Sequence, residues 1–167
     1  WEEAAANSLC AVTAYRMLVS PRGAQMKQGD VVLVWGGAGG LGSYGVQFVR
    51  NGGGIPIAVV SSDRKERILR ELGCDVVLRR DRLGLEGLSE KETGRALGGA
   101  IREAVGEDPH IVFDYVGRET FPLSVYLARR GGSVVTCGSS TGYRHEFDNR
   151  YLWMRVKRII GSHGANW

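Results

Sequence analysis

Residues 31–42 read VVLVWGGAGGLG, five apolar residues running into seven of which five are glycine. Val31, Val32, Leu33, Val34 and Trp35 are too few to span a membrane and too continuously apolar for a strand with one wet face. They predict a central parallel strand buried on both sides. Gly37, Gly39 and Gly42 then satisfy G-x-G-x-x-G, with Gly40 and Leu41 completing the turn. A tight turn, an approach of backbone to a pyrophosphate and close packing of helix on strand each require a residue without Cβ, and the three glycines supply them in that order. A helix starting there would aim unpaired N–H groups and its positive dipole end at the phosphates.

A chain with 25 glycines in 167 residues matches short glycine templates by chance, so the context decides. A helical pattern over 41–50, with Leu41, Gly45, Phe48 and Val49 on one face, and a second apolar run over 55–60 complete a βαβ unit of about 30 residues. The unit reads as dinucleotide-binding; a glycine turn serving packing alone is the competing reading.

Outward from this unit the alternation continues. Residues 1–20 read as a helix, with Glu2 and Glu3 near its positive end and Ala5, Leu9, Val12 and Tyr15 at helical spacings, before Pro21, Gly23 and Gly29 break the chain. Toward the C-terminus the pattern predicts a helix over 63–72 stopped by Gly73, a strand over 75–78, a surface insertion over 79–91 and a helix over 92–105 weakened by Gly94, Gly98 and Gly99. A strand over 110–116, a helix over 120–128, a strand over 132–137, a polar loop over 138–149, a short helix over 151–157 and a strand over 158–163 follow. Strands alternating with helices at this spacing predict an α/β fold, a doubly wound, parallel, six-stranded Rossmann sheet.

Composition removes several function classes. The length suits one domain with a real core, the hydrophobic fraction of 43% and charged fraction of 24% are ordinary, and no apolar run approaches a membrane span. Net charge +4 is spread among acids, as in DRKERILRELGCD, which argues against nucleic acid and suits the steering of an anionic small ligand. Cys10, Cys74 and Cys137 are odd in number and lack metal-ligand spacing, so no metal is expected; with no charged-then-apolar leader they read as reduced thiols of a cytoplasmic protein.

The end of the second strand chooses the dinucleotide. Ser61, Ser62, Asp63, Arg64 and Lys65 stand where NAD-binding domains place an acid for the ribose 2′-hydroxyl. Two hydroxyls and two cations favour the 2′-phosphate of NADPH; Asp63 is either the NAD-type acid or the N-cap of the following helix. At the other strand ends, Gly117 and Gly138 either let ribose and nicotinamide approach the backbone or simply make turns, and His163 is the histidine placed at a strand end.

These residues together resemble a known family. WEEAAANSLCAVTAYRMLVS, GAQMKQGDVVLVWGGAGGLGSYGVQFV, VVSSDRKE, RRGGSVVTCGSSTGY and FDNRYLWMRVKRIIGSHGAN are similar to crotonyl-CoA carboxylase/reductases, a branch of the medium-chain dehydrogenase/reductase superfamily. The resemblance implies NADPH-dependent reduction of an α,β-unsaturated acyl thioester, with the enolate trapped by CO2 to give an alkylmalonyl-CoA. It implies pyrophosphate contacts from Gly37, Gly39, Gly40 and Gly42, 2′-phosphate contacts from Ser62 and Lys65, and CO2 held by Glu2 and His163 with Trp1 alongside. Arg150 and Tyr151 are implied as CoA contacts across a homo-oligomer interface, and Asn166 is counted with the substrate-facing residues. The resemblance further implies a piece of a two-domain enzyme, residues 1–20 being a helix linking from a preceding catalytic domain and 21–167 the nucleotide-binding domain. CO2 has electron-rich oxygens, so its site needs donors and must exclude water, which would protonate the enolate instead.

Overall fold

The computed structural model describes residues 1–164. Its helices are α1 (Glu2–Leu18), α2 (Gly40–Asn51), α3 (Asp63–Glu71), α4 (Glu90–Val105), α5 (Phe121–Leu127) and α6 (Arg150–Trp153). Its strands are β1 (Val31–Trp35), β2 (Ile55–Val60), β3 (Val76–Arg79), β4 (Ile111–Asp114), β5 (Ser133–Thr136) and β6 (Arg158–Gly161), all parallel and ordered β3-β2-β1-β4-β5-β6. The chain winds outward from β1 in both directions, so β1 and β4 border the point where the order reverses and a crevice opens above the carboxyl ends.

The apolar run of β1 alternates between two cores. Val32 and Val34 pack with Ala14, Met17, Leu18, Val46, Val49 and Leu69, placing α1, α2 and α3 on one face. Val31, Leu33 and Trp35 pack with Leu97, Ile101, Phe121, Val125 and Leu127, placing α4 and α5 on the other. Residues 31–34 are fully buried, each contributing on the order of 1.5–3 kcal/mol by leaving water. Continuous hydrophobicity is what two covered faces require.

The structure corrects several sequence expectations. The stretch 79–91 is not wholly a surface insertion: Arg79 closes β3 with only 8% of its surface exposed, and Arg80–Arg82 form a 3-10 turn. α4 starts two residues before the predicted position because Ser89 and Glu92 form a reciprocal cap, Ser89 Oγ accepting from Glu92 N and Glu92 Oε2 accepting from Ser89 N at 2.9 Å. Ser89 Oγ also donates to Glu92 Oε2 at 2.6 Å, and this bond, followed by that from Ser89 N, holds the Glu92 carboxyl below its usual range. Gly94 does not merely weaken α4; a Cβ there would lie 2.7 Å from the Tyr126 ring, so the glycine lets α4 seat on α5. At the C-terminal end α6 stops at Trp153, well before 157, and β6 stops at Gly161, two residues before His163.

Candidate cofactor-binding site

The turn leaving β1 is shaped by what a Cβ would strike. Gly36 is left-handed (φ +61°), and Gly39 N donates to Gly36 O at 2.8 Å to close the turn. A Cβ on Gly42 would lie 2.3 Å from Gly36 O, and one on Gly37 would lie 2.9 Å from Ala58 Cβ. Tyr115, just past β4, donates its hydroxyl to Gly36 O at 2.9 Å and braces the turn from the far side; burial raises its pKa. Gly39 is the N-cap of α2, which has no side-chain cap and no acid in its first turn, as suits an anion-binding helix start. Gly40 opens this helix and the half-buried Leu41 packs against the core below.

A cleft of about 360 Å³ runs from this turn to the end of β2, lined by Trp35, Gly36, Gly39, Ser61, Lys65 and Arg80 among others. Ser62 is committed elsewhere: its Oγ accepts from Lys65 N and caps α3. Asp63 is neither cap nor cleft acid. Its carboxylate pairs with Arg79 and with Arg82 Nη2 at 2.8 Å, chiefly the Arg79 bond holding its pKa low.

Across the crevice the end of β4 is held by a buried carboxylate. Asp114 is fully buried and accepts from Val116 N, Gly117 N, Thr120 Oγ1 and Ser124 Oγ, the last at 2.6 Å. Ser124 Oγ in turn accepts from Trp35 Nε1 at 2.8 Å, tying β1 to α5. A buried charge is tolerable only when its lone pairs are filled this way. Gly117 (φ +95°) has a packing reason to be glycine, since a Cβ would stand 2.7 Å from Ser139 Cα. Around Gly138 nothing lies within 4 Å of a Cβ, so this glycine leaves open space.

The remaining sequence candidates are scattered. His163 is exposed and borders two cavities that meet at Cys137, one with Gly138 and Ser162 and another with Leu9 and Thr13. Gly164 stands beside α1 at Thr13, and Glu2 lies at the N-terminal end of the same helix, eleven residues or about 16 Å of helix from Thr13. Trp1, next to Glu2, is fully exposed. Arg150 is paired with Asp148, Nη2 to Oδ2 at 2.6 Å, which raises its pKa and lowers that of Asp148. Tyr151 stacks edge-on against Tyr126 at 4.8 Å and borders a separate cavity of about 290 Å³ with Lys91, Arg95, Arg102, Arg155 and Lys157. Asn166 lies outside the described residues. His110 accepts from Val31 N, and His145 stacks on Phe121.

Residues 40–167 match the zinc-binding dehydrogenase family. The chain belongs to that family. Relatives of this zinc-binding dehydrogenase family member include a crotonyl-CoA reductase of Streptomyces collinus, 53% identical over all of this chain and 39% of its own length. A crotonyl-CoA carboxylase/reductase of Cereibacter sphaeroides is 39% identical over 99% of this chain and 41% of its own. Among solved structures, the 2-octenoyl-CoA carboxylase reductase CinF in complex with NADP and 2-octenoyl-CoA superposes with a TM-score of 0.93 at 62% identity, over 99% of this chain and 39% of that one. The chain thus spans about two fifths of the length of these relatives.

For this family member the zinc in the family's description finds no donor set: among the described residues no group of three His, Cys, Asp or Glu side chains is placed to hold a metal ion. Cys74 is buried with its thiol on Pro56 O and Val76 O, and burial pushes its pKa up to about 11. No step is therefore routed through a metal. Two basic features are not evident in the sequence, one in the cleft and one outside it. Arg80 was hidden in the charge run RRDR, although a cation directly after a parallel strand was a usable signal, and the basic cavity beside Tyr151 assembles cations from α4 and the segment after α6. Among the described residues no helix is long and apolar enough to cross a membrane.

Proposed function

We propose that this chain is the cofactor-binding part of an NADPH-dependent reductive carboxylase that converts a 2-enoyl-CoA and CO2 into an alkylmalonyl-CoA. The observation that carries it is the glycine cradle opening onto a cleft whose far end offers Lys65 and Arg80, in a chain 62% identical to a carboxylase reductase solved with NADP and an enoyl-CoA. NADPH, when bound, supplies a hydride to the β-carbon of the enoyl thioester. The chain's own work is placement and electrostatics. N–H groups at the start of α2, from Gly40 onward, hold the pyrophosphate, and Lys65 and Arg80 pair with the 2′-phosphate. His163, past β6, donates to an oxygen of CO2 near the enolate in a site that keeps water from protonating it. Glu2 would need another segment to bring it there.

The basic cavity at Tyr151 has the charge to take the phosphates of CoA, with Arg150 beside it on α6. Its one acid, Asp108, is already paired with Arg102 at 2.6 Å.

Supplying the enzyme with a 2-enoyl-CoA, NADPH and bicarbonate tests the reading by product mass. A dicarboxylic acyl-CoA is expected, with His163→Ala shifting product toward the saturated acyl-CoA. Saturated product alone from the wild type would make this a simple enoyl reductase, and no turnover would point to a non-catalytic nucleotide module.

A further inference from the structure

We propose that Arg79 sets the cofactor preference by holding the carboxylate of Asp63 away from the ribose, so that the acid standing in the NAD-type position is masked. The inference rests on the dinucleotide reading of the cleft and goes beyond it. Asp63 comes 21 residues after Gly42, the interval at which dinucleotide-binding domains place the acid that reads a 2′-hydroxyl. In this chain that carboxylate does not line the cleft; Ser61 and Lys65, on either side of it in sequence, do.

The reason is the network at the end of β3. Arg79 is 8% exposed, and its guanidinium is filled on every edge: Nε and Nη2 grip Asp81 at 2.9 and 2.6 Å, while Nη1 takes Glu66 at 3.2 Å and Asp63. Arg82 Nη2 holds the same Asp63 oxygen at 2.8 Å. A planar fork locked on Asp81 cannot follow a moving partner, so Asp63 is drawn to the β3 side. The neighbouring Arg80 and Lys65 are not held by this network and face the cleft. The acid that does line the cleft, Glu119, stands across on the β4 side.

Released, Asp63 would accept from a 2′-hydroxyl and repel a 2′-phosphate carrying roughly −1.5 to −2 charges. The network therefore turns a potential NAD-type acid into support for an NADPH site.

Affinities of the protein for NADPH and NADH, measured by calorimetry, test this in wild type, Asp63→Asn, Arg79→Met and the double variant. Wild type binding NADPH no better than NADH would overturn the cofactor reading itself. With that preference in place, Asp63→Asn leaves the NADPH:NADH ratio within threefold, because the acid is already masked. Arg79→Met lowers the ratio at least tenfold, and adding Asp63→Asn restores it. A ratio changed more than threefold by Asp63→Asn alone, or by less than threefold in a folded Arg79→Met, refutes the masking. Should Arg79→Met fail to fold, Asp63→Asn decides by itself.

Discussion

Gly42→Ala is the perturbation that most directly questions the cradle. The new Cβ would meet Gly36 O at 2.3 Å, Gly36 C at 2.8 Å and Gly37 Cα at 2.8 Å, all backbone, so no side chain can rotate aside. Reaching ordinary contact requires the start of α2 to retreat from the end of β1 by about 1 Å. Overpacking of this kind costs roughly 1–3 kcal/mol, and alanine's better helix propensity returns about 1 kcal/mol. The net loss of up to about 2 kcal/mol lowers Tm by up to about 8 °C for a chain of this size. Binding suffers more, because the same retreat pulls the first N–H groups of α2 off the pyrophosphate. Losing one charge-assisted bond of about 1.5–3 kcal/mol weakens NADPH on the order of 10- to 100-fold. Gly99→Ala is the internal comparison: it also lies in a helix, nothing stands within 4 Å of its Cβ, and it is expected to stabilise by about 0.5–1 kcal/mol. Thermal denaturation and NADPH calorimetry on both variants read the contrast. Gly42→Ala matching wild type in Tm, with NADPH affinity within twofold, would refute the steric reasoning.

Two further perturbations probe the supports around the cleft. Ser124→Ala strands Trp35 Nε1 and takes one hydrogen bond from buried Asp114, so urea denaturation should show a loss of about 2–4 kcal/mol. Lys157 donates to Val125 O and Tyr126 O at the end of α5, and burial first, then Arg155, lowers its pKa to about 8. Because the unfolded chain binds that proton up to about pH 10.4, stability attributable to Lys157 rises as pH increases from about 8 to 10.4. Wild type should therefore gain on Lys157→Met across that window in urea denaturation, and a flat difference would show that the ammonium carries no burial penalty.

The sequence by itself determined the frame. The continuous apolar run at 31–35 required two covered faces, and the glycines required a turn without Cβ, because both signals are local: they depend on a residue's own volume and its immediate neighbours. The alternation of strands and helices then set the parallel sheet. Tertiary structure decided which polar groups the cleft owns. Ser62 and Asp63 both look available to a ribose, yet Ser62 Oγ also accepts from Lys65 N as a helix cap, and Asp63 is held by guanidinium groups sixteen and nineteen residues downstream. Arg79 and Arg80 are adjacent and identical in type, but Arg79 closes the strand with its guanidinium among carboxylates, whereas Arg80 opens the 3-10 turn and is left at the cleft. Glu2 and His163 share a resemblance-based role, but they come from opposite ends of the chain, and only the fold sets His163 beside the middle of α1, in a cavity with Ser8, Leu9, Val12 and Thr13. Charge and hydrogen-bonding capacity are written in the residue, whereas the partner that uses them is chosen by distance, which only the folded sheet sets.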